Sequence, residues 1–91
     1  MRSLLRHKLF IKDMRNVRLT DTQSAKLFLY VAALLNAQAL PPEARDHALH
    51  GEWSDFRECH LSGDVLLIYK IDDRQLHLTR LGSHAQLFKN M

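Results

Sequence analysis

Histidine is the residue type in this sequence best suited to chemistry at neutral pH. The chain holds six histidines in 91 residues, and an imidazole with an unperturbed pKa of about 6.5 serves as either acid or base. Four of them are predicted at loops or strand ends, outside any apolar pattern: His47, His50, His60 and His84. Composition alone favours a set of unrelated surface histidines, so a catalytic role needs further support.

One reaction that suits these residues is the cleavage of RNA without a metal ion. It requires a base for the 2′-hydroxyl, an acid for the 5′-oxygen that leaves, and a cation for the charged phosphorane. His84, His60 or His47, together with Asp64 and Arg80, could supply all three functions. We therefore treat these five residues as candidate catalytic residues.

Arg80 and Phe88 lie on either side of His84, and each has two interpretations. Strict alternation places Arg80 on the same face of its strand as Leu76 and Leu78. Its use on an open face therefore requires a β-bulge after Leu78, and the alternative is a surface ion pair. Phe88 either fills the core or forms an exposed platform on which a base stacks.

A zinc site is the competing interpretation of the histidines. His47 and His50 have the spacing of half a zinc site, with His60 or Asp64 as further ligands. The sequence has no second pair of this kind and no HExxH motif, so we expect no metal and no other cofactor. It also lacks a GxSxG nucleophile motif and a glycine-rich phosphate loop.

Positive charge is concentrated at the start of the chain. Residues 1–20 contain six cations and one acid, a local net charge of +5, whereas the whole chain has a net charge of +3. A basic segment of this kind either binds the phosphates of a nucleic acid or forms a solvated helix face. We define residues 1–20 as the basic block.

Composition restricts the class of protein. A chain of 91 residues, 46% hydrophobic and 25% charged, is predicted to form a single domain over residues 1–91 with one core. No apolar run has the length of a membrane span or of a signal peptide, so we expect no membrane association. The single cysteine, Cys59, fits a reducing cytoplasm and is interpreted as a buried apolar side chain.

Periodicity predicts two helices in the first half of the chain. A short strand over residues 3–7 precedes a helix from Leu9 to Val17, with an apolar face of Phe10, Met14 and Val17. Thr20 to Gln23 forms a capping box that opens a second helix, which is expected to run to about residue 37 before the two prolines at 41 and 42. That helix is apolar on nearly all sides, which predicts that a partner covers part of it.

Strands dominate the second half. They are predicted over residues 53–60, anchored by Phe56; over Val65 to Tyr69, a central strand covered on both faces; and over residues 75–81, ending at Gly82 before a short tail. The predicted fold is therefore α+β, in the order β-α-α-β-β-β, with two helices packed on one side of an antiparallel sheet.

Four sequence blocks resemble the YafQ branch of the RelE/ParE superfamily of bacterial toxins. The similarity covers residues 46–88 closely, and the helical pair that precedes them fits the same layout. The blocks are DHALHGEW at 46–53, FRECH at 56–60, GDVLLIYK at 63–70 and RLGSHAQLF at 80–88. Their order and spacing are far more specific than any single motif.

The resemblance implies a RelE-like fold and a ribosome-dependent endoribonuclease that cuts mRNA and is held inactive by a DinJ-like antitoxin. Its implied partners are the ribosome and mRNA, with operator DNA contacted only through the antitoxin. His84 matches the family's general acid, His60 and Asp64 match the acid–base pair around the 2′-hydroxyl, and His47 matches a further catalytic histidine. Arg80 matches the cation near the scissile phosphate and Phe88 the aromatic side chain that packs on a base.

Three positions depart from the expected family pattern. Ala48 stands where proline is expected, Glu58 where the relative has aspartate, and Val65 where it has tryptophan. The first changes loop stiffness, the second keeps the charge, and the third puts a surface contact in doubt. Two alternatives remain: a ParE-like toxin that inhibits DNA gyrase, and a non-catalytic relic that binds only its antitoxin.

Overall fold

A five-stranded sheet forms the framework of the computed structural model, which describes residues 1–88. The strand order is β1-β5-β4-β3-β2, and all neighbouring pairs are antiparallel except β1 and β5, which are parallel. The elements in chain order are β1 (Ser3–Arg6), α1 (Lys8–Asn16), α2 (Asp21–Leu35), β2 (His47–Ala48), β3 (Arg57–Ser62), β4 (Val65–Ile71), β5 (Gln75–Ser83) and α3 (His84–Phe88). Short 3-10 helices cover Pro42–Ala44 and Gly51–Trp53.

The predicted α+β class and the RelE-like order of the main elements are confirmed, with three corrections. The two-residue strand β2 and the helix α3 are additional elements. The sheet is not wholly antiparallel, because β1 pairs in parallel with β5 at its edge.

Among residues 1–88, no helix is long and apolar enough to cross a membrane.

Helix α2 covers one face of the sheet. Leu27, Tyr30 and Leu34 are buried there and form one core cluster with the strand residues Cys59, Leu61, Leu67, Tyr69, Leu76, Leu78 and Leu81. The Thr20–Gln23 capping box is present as predicted, with both reciprocal hydrogen bonds formed. The helix ends at Leu35 rather than near residue 37, because the chain turns through Ala37 at a φ of 55°, well before the prolines.

Helix α1 lies beside β5. The parallel pairing of β1 with β5 stops at the Arg6–Leu78 pair, and α1 follows along the part of β5 that β1 leaves open. The Asp13 carboxylate accepts a hydrogen bond of 2.9 Å from the backbone amide of Leu81, which satisfies a donor on this edge. Of the predicted apolar face, only Phe10 is buried, whereas Met14 is 41% exposed.

A β-bulge interrupts the pairing of β4 with β5. Tyr69 pairs with Leu78, but its neighbour Ile68 pairs with Arg80, so Thr79 is the extra residue. Leu78 therefore stays on the face covered by α2, while Arg80 lies on the opposite face with Ile68. This is the bulge that the use of Arg80 on an open face requires.

In the second half of the chain, the start of β3 and the end of β5 differ from the prediction. The strand predicted over residues 53–60 begins only at Arg57, and Trp53 instead ends a 3-10 helix over Gly51–Trp53. Gly82 does not end β5, because the strand continues to Ser83 and the chain then forms α3. The expected tail is thus a helix, opened by mutual hydrogen bonds between Ser83 and Gln86.

Candidate active site

Glu58 lies at the centre of the open face of the sheet. Register places it opposite His47 on β2 and Ile68 on β4, and His60 follows two residues later on the same face. The Glu58 residue is only 4% exposed. A buried carboxylate is costly unless partners compensate its charge, and here the partners are imidazoles.

Three histidines surround one oxygen of this carboxylate. The Nε2 atoms of His47, His60 and His84 lie 3.6, 3.5 and 3.4 Å from Glu58 Oε1. These distances suit ion pairing and are longer than an ordinary N–H···O hydrogen bond of about 2.9 Å. The rings of His47 and His60 are 6.4 Å apart, and those of His60 and His84 are 6.1 Å apart. We call these three residues and Glu58 the histidine cluster.

Three separate elements bring the histidine cluster together. His47 comes from the short edge strand β2, Glu58 and His60 come from β3, and His84 is the first residue of α3. His50, the fourth candidate, precedes a 3-10 helix on the exposed surface and is absent from these ion pairs.

The tautomer of His47 is fixed by the backbone. Its Nδ1 lies 2.6 Å from the carbonyl oxygen of Arg45, and because a carbonyl only accepts, Nδ1 must carry the proton. Nε2, which faces Glu58, is therefore the nitrogen free to exchange a proton.

His60 is the most enclosed imidazole of the histidine cluster. Its side chain is 17% exposed, against 51% for His47 and 57% for His84. Burial lowers the pKa of His60, an effect that the Glu58 charge opposes and that Arg45, His84 and His47 reinforce. A lowered pKa keeps this imidazole neutral at pH 7, which is the state that accepts a proton.

His84 and Phe88 occupy successive turns of α3. Their rings lie 5.7 Å apart, and Phe88 also lines a cavity of about 150 Å³ together with Trp53, Phe56, Ile68, Thr79, Arg80, Leu9, Leu49 and Leu87. Phe88 is half-buried, so it shares features of both predicted roles. It packs against the sheet and also borders a pocket beside His84.

Arg80 is held by Asp13 of α1. Its Nε and Nη2 donate to the two carboxylate oxygens at 2.8 and 3.2 Å, and the hydrogen bond with Asp13 raises the pKa of the guanidinium. Both predictions made for Arg80 therefore hold: the bulge places it on the open face, and it forms an ion pair. No local pattern in the sequence indicates this role for Asp13, which is 67 residues distant from Arg80 along the chain.

Asp64 does not join the histidine cluster. It is exposed in the turn between β3 and β4, and among residues 1–88 it forms no ion pair in the structure. Its neighbour Val65 pairs with Ser83, so Asp64 lies at the same end of the sheet as His84. Its predicted place in an acid–base pair with His60 stays a prediction.

Two further residues were missed. In the sequence, Glu58 stands out only as a departure from the family pattern, although its position two residues before His60 on a strand predicts a shared face. Arg45 adopts a left-handed backbone with φ of 51°, positions His47 through its carbonyl, and brings positive charge near His60. No periodic signal marks Arg45.

Other chemical possibilities lie outside this face. Cys59 of β3 is fully buried in the core between the sheet and α2, and burial raises its pKa to about 12, which confirms its interpretation as an apolar filler. Within residues 1–88, no group of three or more His, Cys, Asp or Glu has the arrangement of a metal site. His47 and His60, ligands in the zinc interpretation, instead face Glu58.

Comparison with known proteins places these features in a family. Residues 2–89 match the family model described as the bacterial toxin of a type II toxin–antitoxin system, YafQ. The chain is 35% identical over 80 residues to the mRNA interferase toxin YafQ of Escherichia coli strain K12, which covers 87% of each protein.

Solved structures show the same fold. A copper-bound mutant toxin from Helicobacter pylori superposes with a TM-score of 0.89 and 41% identity, covering 97% of this chain and 100% of that one. The toxin in the E. coli DinJ–YafQ complex superposes with a TM-score of 0.84 and 34% identity, covering 97% and 99%. The resemblance seen in the sequence therefore extends over the described chain.

Proposed function

The chain belongs to the YafQ family of type II toxin–antitoxin toxins, and we propose that it is an endoribonuclease that cuts mRNA on the ribosome. The observation that carries the proposal is the convergence of three histidine Nε2 atoms on Glu58 Oε1, within 3.4–3.6 Å. Groups that exchange protons are thereby concentrated on one open face, as acid–base cleavage of RNA requires.

The proposed reaction is an in-line attack within the RNA. His60 takes the proton of the 2′-hydroxyl, and the 2′-oxygen forms a bond to phosphorus. The bond from phosphorus to the 5′-oxygen breaks, and that oxygen takes a proton from His84. The products are a 2′,3′-cyclic phosphate and a 5′-hydroxyl, and no metal enters the step.

The environments of the two histidines support this division of roles. Burial favours the neutral form of His60, which can act as a base, whereas His84 is 57% exposed at the start of α3, where a leaving group can reach it. Glu58 faces both imidazoles, so its charge stabilises whichever of them is protonated. His47 faces the same oxygen through its Nε2, and it is proposed to exchange protons with the other two histidines through Glu58.

Arg80, Phe88 and Asp64 complete the proposed site. Arg80 lies on the same face as Glu58 and is proposed to stabilise the charge on the phosphorane. Phe88 borders the pocket beside His84 and is proposed to stack on a base next to the cut. Asp64, at the same end of the sheet as His84, is proposed to act with His60 around the 2′-hydroxyl.

A DinJ-like antitoxin is the proposed protein partner. The described chain leaves an apolar groove of about 680 Å³ between α1 and α2, lined by Phe10, Met14, Leu27, Phe28, Val31 and Leu35 and flanked by Arg6 and Arg15. Phe28 and Leu29 of α2 are 70% and 67% exposed, which agrees with the expectation that a partner covers this helix. An acidic, partly apolar segment of the antitoxin would fit the groove and the basic block.

Mapping of RNA cuts tests the proposed function. The chain is expressed in a bacterial translation extract, and new RNA ends are located by primer extension on a reporter mRNA. We expect cuts within the translated region that disappear with His84→Ala and persist with the matched control His50→Ala. If expression of the chain in cells inhibits growth but the extract yields no new RNA ends, the proposal is contradicted and a gyrase-directed toxin is favoured.

A further inference from the structure

We propose that Asp13 is a positioning residue of the nuclease site, which orients the Arg80 guanidinium toward the phosphate that is cut. The inference rests on the proposed role of Arg80 at the scissile phosphate. Asp13 itself lies on α1, which supplies none of the histidines. It acts on the reaction through Arg80.

The contacts of Asp13 fix both the side chain and the strand that carries it. One carboxylate accepts from Arg80 Nε at 2.8 Å, from Arg80 Nη2 at 3.2 Å and from the Leu81 backbone amide at 2.9 Å. The Asp13 side chain is 13% exposed and that of Arg80 is 29% exposed. A two-pronged pair with this little exposure holds a guanidinium plane in one orientation.

The pair leaves Arg80 able to bind a second anion. A guanidinium has five N–H donors, of which Asp13 accepts two. Among residues 1–88, the Arg80 side chain donates no other hydrogen bond. Three donors therefore remain, including both of Nη1, for the oxygens of a phosphate on the open face.

Orientation matters here because the bulge alone does not provide it. The pairing of Arg80 with Ile68 places the Arg80 side chain on the open face of the sheet. An arginine on that face with no partner would still sample many rotamers. A misplacement of about 1 Å in a group that stabilises the transition state costs about 100-fold in rate. Asp13 removes that freedom before RNA binds.

The substitution Asp13→Asn separates the orientation of the Arg80 side chain from the attachment of α1 to the backbone of β5. Asparagine keeps an oxygen that can accept from the Leu81 amide, but it loses the charge and the second oxygen that grip the guanidinium. Asp73→Asn is the matched control, because Asp73 is an exposed acid in the turn before β5. Both variants remove one negative charge.

The experiment measures single-turnover cleavage of a defined mRNA on purified ribosomes over a range of toxin concentrations. We expect Asp13→Asn to lower the maximal cleavage rate about 100-fold while the half-saturating concentration changes little. Asp73→Asn should cleave like the parent. A parental maximal rate in Asp13→Asn, with Arg80→Ala impaired, would overturn the positioning role and leave the proposed function intact.

A double substitution tests whether Asp13 acts through Arg80. If it does, Asp13→Asn combined with Arg80→Ala should cleave no more slowly than Arg80→Ala alone. Losses that multiply would show that Asp13 acts independently of Arg80 and would overturn the proposal. Cleavage at the parental rate by Arg80→Ala would overturn both the positioning role and the part of the proposed function on which it rests.

A measurement on the unaltered protein covers the case in which Asp13→Asn fails to fold. The Nε–H proton of Arg80 is assigned by its absence from the NMR spectrum of Arg80→Ala. Held at 2.8 Å from Asp13, it is expected to exchange with water more slowly than the Nε–H protons of exposed arginines such as Arg18. Equal exchange rates would overturn the proposal.

Discussion

Arg80 pairs with Ile68 across β4 and β5, on the face of the sheet that α2 does not cover. Without the extra residue at position 79, its partner would be Leu67 and its side chain would enter the apolar core. The bulge therefore converts a position that alternation assigns to the core into one that shares a face with Glu58 and His60. Bulges occur often next to active sites for this reason.

His84→Ala should abolish growth inhibition and RNA cleavage without loss of the fold. A positioned general acid contributes roughly 10²–10⁴-fold in rate, and His84 is 57% exposed, so its removal costs little packing. Cleavage is measured as the rate of loss of intact mRNA, with circular dichroism as the check on folding. His50→Ala serves as the matched control, and a His84→Ala variant as toxic as the parent would remove His84 from the mechanism.

Glu58→Gln should lower the cleavage rate and change its pH dependence. Burial lowers the pKa of His60 and the Glu58 charge raises it, so removal of that charge lowers the pKa further. Because His60 acts in its neutral form, the fall in rate on the acid side should move to lower pH. The test is a pH–rate profile of both proteins, and an acid limb that stays in place or moves to higher pH would contradict the role given to Glu58.

Gly82→Ala should impair cleavage through α3. A Cβ at this position would lie 2.9 Å from Gln86 Oε1 and 3.3 Å from Leu87 Cδ2. If the Gln86 side chain moved away, it would break a hydrogen bond, because its Oε1 accepts from the Ser83 amide at the start of α3. We expect displacement of α3 with its His84, measured as a lower cleavage rate and altered chemical shifts in α3. Gly51→Ala adds a Cβ with nothing within 4 Å but at a left-handed φ of 67°, so it controls for the backbone cost of losing a glycine without a steric clash. Parental activity in Gly82→Ala would count against a fixed α3.

Charge reversal at Arg15 and Arg18 should slow binding of the antitoxin. Arg15 lines the groove between α1 and α2, and Arg18 is exposed in the same basic block. Positive charge beside the groove steers an acidic partner, so its loss lowers the association rate and weakens the dependence on salt. Association kinetics at two salt concentrations check this, with reversal at Arg74, outside the block, as the control. An unchanged association rate would rule out steering by the basic block.

Local signals in the sequence predicted much of the fold, because they depend on few neighbours. The capping box at Thr20 and the apolar run of β4 specify their elements from adjacent residues alone. The same capping signal, Ser83 followed three residues later by Gln86, marks the start of α3, although Gly82 just before it favours a strand end and a tail. Strand β2 is two residues long, too short for any periodicity to mark.

The site was predicted less completely, because its contacts join distant parts of the chain. Family resemblance singled out the three histidines, and the structure gathers them around one oxygen. That Glu58 would be this centre depends on the register of β2 against β3, which no single segment encodes. The hold of Asp13 on Arg80 spans 67 residues and depends on where α1 meets the edge of β5.

The chemical nature of the RNA ends tests most directly whether the histidine cluster cuts RNA by acid–base catalysis. Purified toxin, stripped of metals by a chelator and then returned to magnesium buffer for the ribosomes, is mixed with ribosomes carrying a defined mRNA. Mass spectrometry then identifies the ends at the cut. Acid–base cleavage should leave a 2′,3′-cyclic phosphate and a 5′-hydroxyl, and both ends should be absent with His84→Ala. A 3′-hydroxyl and 5′-phosphate, or activity that returns only with stoichiometric zinc, would contradict it.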